Sequence, residues 1–173
     1  MTTRDPHLIA ARIIRDAGGE LVGRTRLQKV AYLTQLAGFA NDFRFEYRHY
    51  GPFSEDLARG MEIASAFGDV QEVERQADWG GRYSIYRTSG SPEPEAQERA
   101  GFVQRAKQIG AIELELAATA AFLAQQEGVS DPWAETARRK PEKAAHGRLE
   151  GARDAYARLR AETGNRLPLL PQA

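Results

Sequence analysis

Two stretches decide how this chain reads: Thr25-Arg-Leu-Gln-Lys-Val-Ala-Tyr-Leu-Thr-Gln-Leu-Ala37 and Arg48-His-Tyr-Gly-Pro-Phe-Ser-Glu-Asp-Leu57. In the first, Thr25 followed by Gln28 has the form of a capping box, the hydroxyl accepting from the N3 amide and Gln28 reaching back to the cap. In the second, Ser54 is a predicted N-cap, with Glu55 and Asp56 in the first turn where the positive end of the helix dipole favours them. Between them, Phe43-Arg-Phe-Glu-Tyr-Arg-His-Tyr50 carries aromatics suited to a pleated surface and predicts a strand over 43–50. Gly51-Pro52 then predicts a tight turn, with Pro52 fixing φ, that aims the strand into a helix over 55–67. The order is helix, strand, turn, helix. None of it supplies a reaction centre, and the stretch reads as a recognition module.

At 173 residues one domain spanning 1–173 is expected, large enough for its own core. The proportions, 42% hydrophobic and 28% charged, are those of a globular protein. The absence of cysteine excludes disulfides, thiolate nucleophiles and cysteine-ligated metal, and fits a cytoplasmic location. The start, Met1-Thr-Thr-Arg-Asp-Pro-His7, lacks an apolar signal core, and the apolar run Leu116 to Ala124 is too short to cross a bilayer. Formal net charge is zero, and residues 1–91 carry equal numbers of basic and acidic side chains. A duplex-DNA binder normally shows a basic stripe, because phosphate contacts supply much of its affinity. Nucleic acid is therefore a disfavoured partner, kept as the alternative.

Further predicted helices cover 6–16, closed by Gly18-Gly19, and 26–37, closed by Gly38; the helix over 55–67 ends at Gly68. A hairpin of 70–76 and 82–87 flanks Asp78-Trp-Gly-Gly81, with Tyr83 and Ile85 alternating with Ser84 and Tyr86. Three helices and a hairpin outline a winged helix. The linker Ser89-Gly-Ser-Pro-Glu-Pro94 separates this winged-helix-like part, 1–88, from a helical part, 95–173. Helices are expected there at 95–109, 111–126, 133–138 and 146–162, with the tail 167–171 extended as a strap. The fold class is α+β and predominantly helical, with a small antiparallel sheet expected from 43–50, 70–76 and 82–87.

Gly18-Gly-Glu-Leu-Val-Gly23-Arg24-Thr25 nearly spells a P-loop, but Arg24 stands where the phosphate-binding lysine belongs and a helix, not a strand, precedes it. His7, His49 and His146 are far apart and match no metal-ligand spacing, and there is no Gly-x-Ser-x-Gly elbow. A non-enzyme without cofactor or metal is expected. Arg24, Arg26 and Lys29 crowd the start of the second helix, where positive charge opposes the dipole at about 0.3–1 kcal/mol each. They would make that start attractive to anions. Gln28, Tyr32 and Gln35 form a polar stripe, either an interaction face or ordinary surface. In a DNA-reading winged helix the helix over 55–67 would enter the major groove, yet its exposed residues include Glu55, Asp56 and Glu62 against Arg59. The connection from Gly38 to Phe53 also far exceeds a helix-turn-helix turn. Arg48, His49, Tyr50 and Phe53 place a surplus of aromatic and basic groups on one turn, types that anchor protein interfaces. With Arg24, Arg26 and Lys29 they are the candidate partner-binding residues, although Tyr50 and Phe53 could equally fill the gap between strand and helix.

Arg26-Leu-Gln-Lys-Val-Ala-Tyr-Leu33 and Tyr50-Gly-Pro-Phe-Ser-Glu-Asp-Leu57 together resemble the Panacea-domain superfamily, which includes SocA-like antitoxins and YwgA-like proteins. Leu114-Glu-Leu-Ala-Ala-Thr-Ala-Ala-Phe-Leu123, Arg139-Lys-Pro-Glu-Lys143 and the last helix look most like the YwgA-like branch, and the toxin-binding portion of DarG-type antitoxins is similar too. The resemblance extends from about residue 7 to residue 160. It implies a non-catalytic module that binds another protein, either a cognate toxin or a substrate handed to a protease, and it brings no catalytic residues.

Overall fold

The computed structural model describes residues 5–171. Helix α1 (Pro6–Asp16) opens with Pro6 in its first turn, where the missing amide costs nothing. Strand β1 (Glu20–Val22) follows, then α2 (Arg24–Leu36), β2 (Glu46–Arg48), β3 (Gly51–Phe53) and α3 (Glu55–Phe67). Ser54 caps α3 as its sequence predicts: the hydroxyl accepts from the Leu57 amide at 3.2 Å, and Gly68 closes the helix at φ +80°. β4 (Gln71–Gln76) and β5 (Arg82–Arg87) form the expected hairpin. Its inward side is the one carrying Ser84 and Tyr86, while Tyr83 is exposed. A 3-10 turn (Pro94–Ala96) leads into α4 (Gln97–Ala106), shorter than the predicted 95–109, and then α5 (Ala111–Gln126). α6 (Pro132–Arg139), a four-residue α7 (Pro141–Ala144) that sequence reading missed, and α8 (Arg148–Glu162) complete the helices. The fold is α+β and predominantly helical.

The strands depart from expectation. There are two antiparallel sheets among the described residues: one ordered β1-β5-β4, the other β2-β3 alone. β1 supplies the third strand beside the hairpin, Leu21 opposite Tyr86, in place of the expected 43–50 segment. The predicted strand 43–50 is shorter and pairs with the Gly51–Phe53 segment instead, so Gly51-Pro52 is not the turn but half of a small hairpin turning at His49-Tyr50. The start of α2 differs as well. The Gly23 amide donates to Ser84 O at 2.8 Å, so the chain passes from strand into helix through Gly23 (φ 102°), and Thr25 is not a cap.

α5 is the hub. Leu114 to Leu123 are buried without a break, and the helix packs against α2, α6, α8 and β3. A helix apolar all round must be covered all round. One hydrophobic cluster runs from Ile14, Leu33 and Leu57 to Phe102, Leu116 and Tyr156. Polar ties reinforce it across the Ser89–Pro94 linker: Arg99 meets the buried Asp16 carboxylate at 2.6 Å, and Lys107 donates to Glu20 O at 3.0 Å. The tail forms the expected strap, with Leu167 and Leu170 buried and the Tyr156 hydroxyl donating to Pro168 O at 2.6 Å.

Candidate functional site

The polar stripe of α2 faces inward. Gln28 is 3% exposed and clasps the Ser54 backbone twice: its amide donates to Ser54 O at 3.0 Å and its carbonyl accepts from Ser54 N at 2.8 Å. Lys29, next along, donates to Pro52 O at 2.9 Å. Gln35 does the same two turns on, accepting from the Asp42 and Phe43 amides and donating to Phe43 O. The physical need is plain. Residues 38–54 contain little regular structure, and buried backbone groups without ladder partners must be satisfied by side chains. The Leu27-Gln28-Lys29 and Gly51-Pro52-Phe53-Ser54 motifs are thus two halves of one clasp.

That clasp relocates the candidate residues. Lys29 is 1% exposed and is not on the surface that its place near the helix start suggested. Burial drives its pKa down, to about 8, with Glu115 pulling it up and Lys140 and Lys143 pushing it down. Arg26 is half-buried and donates to Lys107 O at 2.7 Å and to Ile109 O, satisfying carbonyls at the end of α4. Arg24 is exposed but engaged with Glu72 at 2.9 Å, while Ser84 Oγ donates to the same Glu72 at 2.7 Å. The hydrogen bond to Glu72 raises the Arg24 pKa. Burial works to raise Glu72, but its bonds from Ser84 and Arg24 outweigh that and hold it below the usual carboxylate range. None of the three cations is left free at the helix start.

Arg48, His49 and Tyr50 are brought together and exposed at the turn of the β2–β3 hairpin. Phe53 is half-buried, with the Arg48 guanidinium 5.6 Å from its ring centroid. Arg48 also meets Glu55 at 2.9 Å and Glu46 at 3.5 Å. Sequence reasoning missed the other half of this face, supplied from about ninety residues further on by α6 and α7. Arg139 lies 5.1 Å from the Tyr47 centroid and Lys143 4.7 Å from that of Tyr50. Lys140, 9% exposed, donates to His49 O at 2.9 Å and meets Glu115 at 3.2 Å. Lys143 grips both Glu115 oxygens at 2.9 and 2.8 Å. The only sequence signal was the basic spacing of Arg139-Lys140 and Lys143; nothing local ties it to residue 49.

Between hairpin and helices lies an open basin of about 770 Å³, lined among others by Tyr47, His49, Lys140 and Lys143. Among the described residues no group of three or more His, Asp or Glu side chains is placed to hold a metal ion, and no helix is long and apolar enough to cross a membrane. The chain is similar to an uncharacterised protein, YwgA, of Bacillus subtilis (strain 168). They are 31% identical over 83 residues, which make up 48% of this chain and 48% of that one. The match spans about half the length of this curated relative, in line with a YwgA-like resemblance. No family model matches the chain.

Proposed function

We propose that this chain is a non-catalytic protein-binding module of the antitoxin or proteolytic-adaptor kind, within the Panacea-domain superfamily and its YwgA-like branch. The observation that carries this reading is the joint face of the β2–β3 turn and α6–α7. It presents Arg48, His49 and Tyr50 beside Arg139 and Lys143, with Arg48, Arg139 and Lys143 each near an aromatic ring. Aromatic and arginine side chains held in place are the usual anchors of interfaces, because little entropy remains to be lost on docking. The partner is a protein with an acidic surface.

The test is affinity purification from the native host with wild type and with the Arg48→Ala/His49→Ala double variant. A stoichiometric partner retained by wild type and lost by the folded variant supports the reading; equal capture by both removes the placement. The alternative, a nucleic-acid-binding regulator, draws support from the β1-β5-β4 sheet and the order α1-β1-α2-α3-β4-β5, interrupted between α2 and α3 by the β2–β3 hairpin, a winged-helix-like arrangement with Trp79 80% exposed near the β4–β5 tip. Against it stand exposed Glu55, Asp56 and Glu62 on α3. Salt-dependent binding to duplex or single strands at low ionic strength would favour it.

A further inference from the structure

We propose that Lys140 and Lys143, backed by the buried Lys29, form a seat for the dianionic phosphate of a phosphate monoester in the basin between the β2–β3 turn and α6–α7. The seat deepens the face described above and rests on it being a binding face, but it concerns the isolated chain.

Charge is the first argument. Lys140 and Lys143 share one carboxylate, Glu115, itself 4% exposed, and Lys29 lies close enough to feel the charge of all three. The hydrogen bond Lys29 makes is to a neutral carbonyl, Pro52 O. Buried charges are normally matched, since removal from water is costly when they are not. Of the neighbouring arginines, Arg138 and Arg139 balance Glu135 and Glu127, while Arg48 faces two carboxylates, Glu46 and Glu55, both exposed to water on the outer side of the turn. Glu142 also lines the basin, but it is exposed and screened by water. The three lysines and Glu115, taken by themselves, leave a surplus of two positive charges, faced only by carboxylates that water screens.

Donor geometry is the second. An ammonium group has three hydrogens to give. Lys140 gives one to His49 O and lies 3.2 Å from Glu115 as an ion pair, and Lys143 gives two to the Glu115 oxygens. Each retains at least one donor. Lys143 is 34% exposed and held above the Tyr50 ring, so it is positioned before any ligand arrives. A phosphate monoester carries roughly −1.5 to −2 at neutral pH and three acceptor oxygens, which matches both the charge and the donors; a lone carboxylate matches half of it. The basin, at about 770 Å³, has room for the body that bears the phosphate.

The experiment is calorimetric titration of the purified chain at fixed ionic strength with inorganic phosphate, a nucleoside monophosphate, free phosphoserine and, as a monoanionic control, dimethyl phosphate. The dianions should bind at least ~10-fold more tightly than dimethyl phosphate, as expected for charge-assisted hydrogen bonds. Lys143→Gln should lose ~10-fold or more, while Glu115→Gln, which removes the competing carboxylate, should tighten binding by a similar factor. A purely structural role for Glu115 would not produce that gain. If Glu115→Gln does not fold, the Lys143→Gln and dimethyl phosphate comparisons decide. A nucleotide preferred over phosphoserine assigns the seat to free nucleotides, and the reverse assigns it to a phosphorylated side chain. No binding of any dianion, equal binding of dimethyl phosphate, or a folded Lys143→Gln that binds as wild type overturns the proposal.

Discussion

Replacing Gln28 by Ala removes the clasp between α2 and the start of α3, and its cost follows from burial. Gln28 Oε1 accepts the Ser54 amide at 2.8 Å, and Ser54 is fully buried, so the variant leaves that N–H unpaired in the core. An orphaned buried donor costs about 1–3 kcal/mol, and losing the second bond, to Ser54 O, adds about 0.5–1.5. That second term is at the low end, because Ser54 O still accepts from the Ala58 amide at 3.2 Å. Loss of one buried methylene contributes about 0.8 kcal/mol more. Releasing a long side chain from a single rotamer offsets about 1–2 kcal/mol. The net expectation is about 2 kcal/mol of destabilisation, measured by urea denaturation followed by far-UV circular dichroism. Gln35→Ala is the internal comparison. It too breaks bonds to backbone, at Asp42 and Phe43, but the residue is half-exposed and water can take its place, so about 1 kcal/mol is expected. A Gln28→Ala variant no less stable than Gln35→Ala would refute the claim that the buried clasp organises residues 51–54.

Ser54→Ala should cost about 0.5–2 kcal/mol through the lost cap alone, since the Gln28 bonds are to its backbone and survive; an unchanged denaturation midpoint counts against the cap. Gly51→Ala should be more damaging than a surface substitution, because φ is +95° and a Cβ would stand 2.5 Å from Thr119 Oγ1; the expectation is at least ~2 kcal/mol, checked by thermal melting. Lys29, whose pKa falls from 10.5 to about 8 on burial, binds fewer protons folded than unfolded across that window. Stability of the wild type relative to Lys29→Met should therefore rise between about pH 8 and 10, by up to a few kcal/mol; parallel curves for the two proteins would show that Lys29 is not desolvated.

What the sequence determined by itself is local. The cap at Ser54, the glycine stops after α1 and α3, the β4–β5 hairpin and the span of α5 all follow from interactions within a few residues, and all stand in the structure. What tertiary structure decided is where isolated segments found partners. Glu20–Val22 is too short to declare itself a strand until Leu21 meets Tyr86 from the far side of two helices. Gln28 and Thr25 have the letters of a capping box, but a longer-range bond to Ser54 satisfies a buried amide, whereas the helix start is near water and does not need that cap. The candidate site divides the same way. The cluster Arg48-His49-Tyr50 was visible as composition, while Lys140, Lys143 and Glu115 joined it only through the packing of α6 and α7 beside the hairpin. Charge excess in a basin is a property of what surrounds it in space, and no one-dimensional pattern records which lysines will share a single carboxylate.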